Sequence, residues 1–93
     1  MIECDGGRCT MRGPITIDNV VSLLAEGNGL FTSVQATVDL AAVTDVDSSA
    51  LSLLLEWRRE AGRSGRSIRY LNLPSNLKSL AELYGVTELI SDS

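Results

Sequence analysis

The stretch VDLAAVTDVDSSAL, residues 38–51, decides how this chain folds. It closes an apolar, β-branched run, SVQATVDL (33–40), that reads as a central strand. From Ser49 to Gly62 the sequence is leucine-dense and helical in period. Ala50, Leu53, Leu54, Trp57 and Ala61 share one face, and Ser52, Glu56, Arg59, Glu60 and Arg63 the other. Glu56 and Arg59, three apart, mark that second face as solvated and charged. Between strand and helix the chain reads as a loop, Thr44-Asp45-Val46-Asp47-Ser48-Ser49, with its carboxylates and hydroxyls crowded at one corner. A further strand, SIRYLN (67–72), follows the GRSGRS turn. Residues 33–72 therefore form one βαβ unit, which requires parallel strands and a right-handed crossover.

Working outward, residues 1–13 read as a β-hairpin about Asp5-Gly6-Gly7, and Gly13-Pro14 is expected to break its second strand. Thr16 is the expected cap of a helix over 17–26, with Asp18 in its first turn. Ile17, Val20, Val21 and Leu24 make that helix's buried stripe, and Gly27-Asn28-Gly29 its end. Pro74 and Ser75 open a last clear helix over 75–84, striped by Leu77, Leu80, Ala81 and Tyr84 and stopped by Gly85. Residues 86–93 are expected to form a short helical or loose tail. The order is ββαβαβα, an α/β fold with a small mixed sheet and the hairpin at one end. The whole chain, 1–93, reads as one domain.

Bulk properties narrow the function. A chain of 93 residues buries about 60–65% of its unfolded surface, enough for one modest core. A net charge of −4 with no Lys/Arg tract argues against nucleic acid as partner. No apolar run approaches the roughly 20 residues of a membrane-spanning helix, and no basic-then-apolar leader opens the sequence, so secretion is not expected. The absence of histidine excludes His-ligated metals and Ser-His or Cys-His nucleophile pairs. Cys4 and Cys9 face each other across the expected hairpin, which makes a disulfide geometrically conceivable. A cytoplasmic setting points instead to two reduced thiols.

Three readings of the corner follow. Catalysis by Asp45 and Asp47 would need one carboxylate desolvated and one held polar, and nothing adjacent supplies a pocket. Ser48 and Ser49 lack a base. A Mg²⁺ site from Asp39, Asp45 and Asp47 is conceivable at the end of parallel strands, but no glycine-rich phosphate loop follows. The plainest alternative is that Asp47 or Ser48 simply caps the next helix. The third reading is a docking switch. A phosphate in the first helical turn is favoured by free N–H groups and the helix dipole, adds a charge of roughly −1.5 to −2, and repels Asp47.

The residues carry a resemblance. Asp39-Leu40, a short spacer, and Asp47-Ser48-Ser49-Ala50-Leu51 opening a helix resemble the STAS domain, shared by anti-sigma factor antagonists and sulfate-transporter tails. Within that family, the length, the Leu53-Leu54-Leu55 run and the ending Leu77, Leu80, Ala81, Leu83, Tyr84, Gly85, Val86 look most like the small cytoplasmic STAS subunit of the Mla phospholipid transporter. That resemblance implies a non-enzymatic subunit, with no cofactor, docking on a cytoplasmic ABC ATPase and peripheral to the inner membrane through it. It implies partner contact through Thr44, Asp45, Asp47, Ser48, Ser49 and Ser52. In the alternative, an anti-sigma factor antagonist bound by a serine kinase, Ser49 is the implied phosphorylation site and Ser48 its neighbour. Ala50 departs from the family glycine, and its methyl is expected to narrow the approach to the backbone.

Overall fold

The computed structural model describes residues 2–90. Met1 of the expected first strand and residues 91–93 of the expected tail lie outside them. The elements are β1 (Ile2–Asp5), β2 (Arg8–Ile15), α1 (Val20–Leu30), β3 (Gln35–Val46), α2 (Ser48–Arg63), β4 (Ser67–Leu71), α3 (Ser75–Leu83) and α4 (Thr87–Ile90). They form one four-stranded sheet ordered β1-β2-β3-β4. β1 and β2 are antiparallel, while β2–β3 and β3–β4 are parallel, as the βαβ reading requires.

The sheet buries one face. Cys9, Met11 and Ile15 of β2, Ala36, Val38 and Leu40 of β3, and Ile68 and Tyr70 of β4 point into the core. Against them pack Leu53, Leu54 and Trp57 of α2, Leu23 of α1, and Leu77 and Ala81 of α3. Alternate residues stay in contact with water, tied by the ion pairs Arg8–Asp39 (3.2 Å) and Arg12–Glu3 (3.2 Å). This in-out alternation with helices on one side is what a two-layer α/β sandwich demands.

Five expectations needed correction. β2 runs through Gly13-Pro14 instead of stopping there, Gly13 adopting φ +83. Proline is tolerated because this stretch of the ladder is already irregular, with register shifts between Thr10/Arg12 and between Gly13/Ile15. Those shifts also explain why β3 continues to Val46 rather than ending at Leu40. At each, β3 supplies one residue more than β2, which is the arithmetic of a β-bulge. The first moves the buried position from Leu40 to Val43, and the second leaves both Thr44 and Asp45 outside.

Helix α1 is displaced from 17–26 to Val20–Leu30. Thr16 belongs to the preceding turn, where its carbonyl accepts the N–H groups of Asn19 (3.1 Å) and Val20 (2.9 Å). Asn19 closes that turn, accepting from Thr16 N (3.0 Å) and donating to Pro14 O (2.9 Å). Ile17 and Val21 are consequently exposed, and Leu23 and Gly27 take the buried face. The helix runs on through its glycines because Gly27 lies against Trp57: a Cβ there would stand 2.5 Å from the indole ring. The ring is held edge-on to Phe31 at 4.8 Å and donates to Leu24 O at 3.3 Å.

At the other end Tyr84, expected in the buried stripe of α3, is exposed. The helix stops at Leu83, and Gly85 at φ +69 turns the chain away before the stripe is complete. Finally, Cys4 and Cys9 are not two thiols but a disulfide. They are direct partners in the β1–β2 register with Cα atoms 4.0 Å apart, so the hairpin brings the sulfurs together without further rearrangement.

Candidate docking site

The quoted corner lies where β3 ends, with only Asp47 between strand and helix. Asp47 has an extended backbone (φ −129, ψ −171), and its carboxylate faces two ways. One oxygen accepts from Ser49 N (2.8 Å), capping α2, and the other from Ile17 N (3.0 Å), fastening the turn before α1. The Ile17 N–H, chiefly, and that of Ser49 hold the Asp47 carboxyl below the usual carboxylate range against a smaller desolvation effect. Capping, the plainest reading, is therefore correct for Asp47. It leaves Thr44, Asp45, Ser48 and Ser52 without such a job.

Those four are exposed, while Ser49 is half-buried. Thr44 and Asp45 stand at the end of β3, not on a loop, and Thr44 O accepts from Asn76 Nδ2 (3.0 Å), tying the strand end to the start of α3. Ser48 and Ser52 are one turn apart on α2. Ala50 is fully buried, so its methyl enters the core.

The structure does not assemble the three aspartates. Asp39 lies on the open sheet face, accepting from Ala41 N (2.9 Å), Asn72 Nδ2 (3.1 Å) and Arg8 (3.2 Å). These contacts, the Ala41 N–H foremost, hold its pKa below the usual value. Among the described residues no group of three His, Cys, Asp or Glu side chains could hold a metal ion.

Beside Ser48 the fold opens a groove that the sequence reading did not locate. About 250 Å³ in volume, it is lined by Ser48, Leu51, Ser52, Leu55, Tyr84 and Val86. Tyr84 in its lining is 57% exposed, and Leu83 of α3 and Leu89 of α4 are 76% and 56% exposed. Arg58 donates to Ile68 O (3.3 Å) and to Leu89 O (2.5 Å) and stacks over the Tyr70 ring at 4.8 Å, so α4 is clamped to α2 and β4. The groove was hidden because Tyr84 follows the helical spacing of core residues. The signal that could have exposed it is Gly85, a left-handed position that carries Tyr84 out of the stripe. Ile17 (70% exposed), whose N–H meets Asp47, and Val21 (77% exposed) also face solvent.

No helix among the described residues is long and apolar enough to cross a membrane. No curated protein sequence matches the chain. Among solved structures it is similar to the anti-sigma factor antagonist SpoIIAA in its unphosphorylated form, at 16% identity and a TM-score of 0.76, over 100% of this chain and 86% of that one. The Bacillus cell fate determinant SpoIIAA in the phosphorylated form matches at 15% identity and a TM-score of 0.70, over 100% and 89% of the two chains. A crystal structure of Mglu matches at 20% identity and a TM-score of 0.63, over 81% of this chain but only 20% of that one. At such identities these likenesses establish the fold alone. The family described as "Mlab, STAS domain" matches residues 5–91. That match spans nearly the whole sequence and agrees with the Asp47-Ser48-Ser49 corner and the Leu77–Val86 ending, so the chain belongs to the Mlab-type STAS domain family.

Proposed function

We propose that the chain is a non-enzymatic, protein-binding regulatory subunit. It docks on the cytoplasmic ATPase of an ABC-type phospholipid transporter that maintains outer-membrane lipid asymmetry, and it is held peripheral to the inner membrane by that contact. The observation that carries this reading is the groove at Ser48. An exposed hydroxyl stands on the lip of an apolar depression that the exposed Tyr84 also lines. Apolar surface gathered beside polar rim residues is characteristic of a protein interface, and tyrosine is among the residues that dominate binding energy there. Ser48 and Ser52 supply the groove's polar lining, and Thr44, Asp45, Asp47 and Ser49 stand on the adjoining corner between β3 and α2. The Mlab description of the family supports the transporter assignment.

The test is affinity purification from native membranes. The wild-type chain should bring an ATPase with it, while Ser48→Arg and Tyr84→Ala should lose it and keep an unchanged circular dichroism spectrum. Recovery of the wild type without any ATPase would defeat the proposal.

A second reading, an anti-sigma factor antagonist switched by serine phosphorylation, is favoured by one feature. Ser48 and Ser49 occupy the first turn of α2, with Ser48 exposed. Mass spectrometry of the native protein decides between them. Phosphate at Ser49 or Ser48, with a Ser49→Asp variant that releases its partner, would favour the switch over the transporter subunit.

A further inference from the structure

At the opposite end of the strands from the docking corner, the hairpin carries chemistry that the proposed function does not use. Cys4 and Cys9 are bonded across β1 and β2, but their surroundings differ: Cys9 is 1% exposed, whereas Cys4 is open to solvent. A cleft of about 280 Å³ abuts the pair, lined by both cysteines, Gly6, Gly7, Phe31 and Ser33 among others. Its volume lies just below the range for drug-sized small-molecule sites, roughly 300–1,000 Å³. The register Cys9↔Val38 sets it far along β3 from Val46, which pairs with Ile15 beside the corner.

Contacts other than the bond also hold the hairpin in place. Ile2 is buried, and its N–H donates to Glu26 of α1 (3.3 Å). The turn docks independently, Gly7 O accepting from Thr37 N at 2.9 Å. The loop that the disulfide closes spans only the turn, five residues in sequence separation. A cross-link over so short a loop removes little chain entropy compared with one over a long loop. Cys9 as a thiol is a small apolar side chain that can remain where it is.

We propose that Cys4–Cys9 is a reversible redox pair, with Cys4 the sulfur at which a small external thiol of the cysteinyl-tripeptide class exchanges through the cleft. The external thiolate attacks Cys4 Sγ. A new S–S bond forms to Cys4, the Cys4–Cys9 bond breaks, and Cys9 leaves as a thiolate that takes up the proton shed by the attacking thiol. A second external thiol then attacks the external sulfur of the mixed disulfide. Cys4 is released as a thiol and the external pair departs as its own disulfide. Two electrons pass from two external thiols to the protein, and oxidised external disulfide runs the sequence backwards. Attack is directed to Cys4 because it is the exposed residue of the pair, whereas Cys9 is 1% exposed. The reduced state frees β1, the outer strand of the sheet, from its covalent tie.

The experiment uses the full chain and glutathione, with alkylation quenching and mass spectrometry as readout. In native buffer the disulfide should be reduced at a rate within about tenfold of that in urea, since access does not require unfolding. On the native reduced protein, alkylation should mark Cys4 at least about tenfold faster than Cys9. Glutathione disulfide should restore the bond, and with Cys9→Ala it should leave a mixed disulfide on Cys4, whereas Cys4→Ser should gain none under the same conditions. Native reduction slower than that margin, or Cys9 reacting as fast as Cys4, would overturn the proposal. The wild-type labelling ratio decides the matter should either variant fail to fold.

Discussion

Replacing Gly27 with alanine adds a single methyl group, and the structure says where it must go. An ideal Cβ at Gly27 lies 2.5 Å from Cε2, Cζ2 and Nε1 of Trp57, short of the 3.4 Å at which ordinary contact begins. The ring cannot swing aside cheaply. It is 1% exposed, edge-on to Phe31, and bound through Nε1 to Leu24 O. Overpacking of this kind costs about 1–3 kcal/mol. Alanine in place of glycine within a helix returns roughly 0.5–1 kcal/mol. The net expectation is destabilisation centred on about 1 kcal/mol, which in a domain of this size lowers Tm by roughly 4–8 °C. Gly29, in the same helix, has nothing within 4 Å of its Cβ position. Gly29→Ala should therefore gain stability by about 0.5–1 kcal/mol from the helix term alone. The two variants have identical composition and should move in opposite directions. Urea titration followed by far-UV circular dichroism reads both, with m unchanged and the midpoint shifted. Equal midpoints for Gly27→Ala and Gly29→Ala would refute the argument that α1 approaches α2 through the missing side chain.

Other outcomes follow from the same coordinates. Leu54 is fully buried, so Leu54→Ala should cost about 2–5 kcal/mol in urea titration, whereas Ser48→Arg should stay within about 0.5 kcal/mol of wild type while abolishing partner recovery. The folded-state pKa of Asp47 is depressed, mainly by the Ile17 N–H. Its contribution is thus complete above the unfolded value, near about 4, and is lost as pH falls through the folded one. Urea midpoints between pH 6 and 2 should consequently decline less steeply for Asp47→Asn, which keeps an oxygen for Ser49 N. Burial pushes the Tyr70 phenol up, and its hydroxyl donates to Leu54 O at 2.6 Å. Tyr70→Phe should cost about 0.5–1.5 kcal/mol in the same titration, and wild-type Tyr70 should show no phenolate absorbance while the protein remains folded.

The helix after the quoted corner was legible because its signal is periodic and local. Ala50, Leu53, Leu54, Trp57 and Ala61 recur on one face, and all five are buried in the structure. The parallel pairing of β3 with β4 was equally accessible, since a strand–helix–strand run leaves little alternative. The extent of β3 was not. Bulges against β2 carry Thr44 and Asp45 onto the strand, and a bulge depends on the partner strand's register rather than on the residues it displaces.

Tertiary contacts likewise placed α1. Thr16 and the glycines at 27 and 29 are sound local signals for a helix start and stop. They lost to Asn19, which closes the preceding turn, and to Trp57, which requires the bare backbone of Gly27. The candidate site divides in the same way. That Asp47, Ser48 and Ser49 meet at a strand-to-helix corner follows from their order in the chain. That Ser48 borders a groove completed by Tyr84 and Val86 follows from α3 and α4 folding back against α2, residues distant in sequence brought together by the burial of Leu77, Ala81 and Ile90. Periodicity reports which side of an element is apolar; only packing decides which apolar residues find cover and which are left facing solvent.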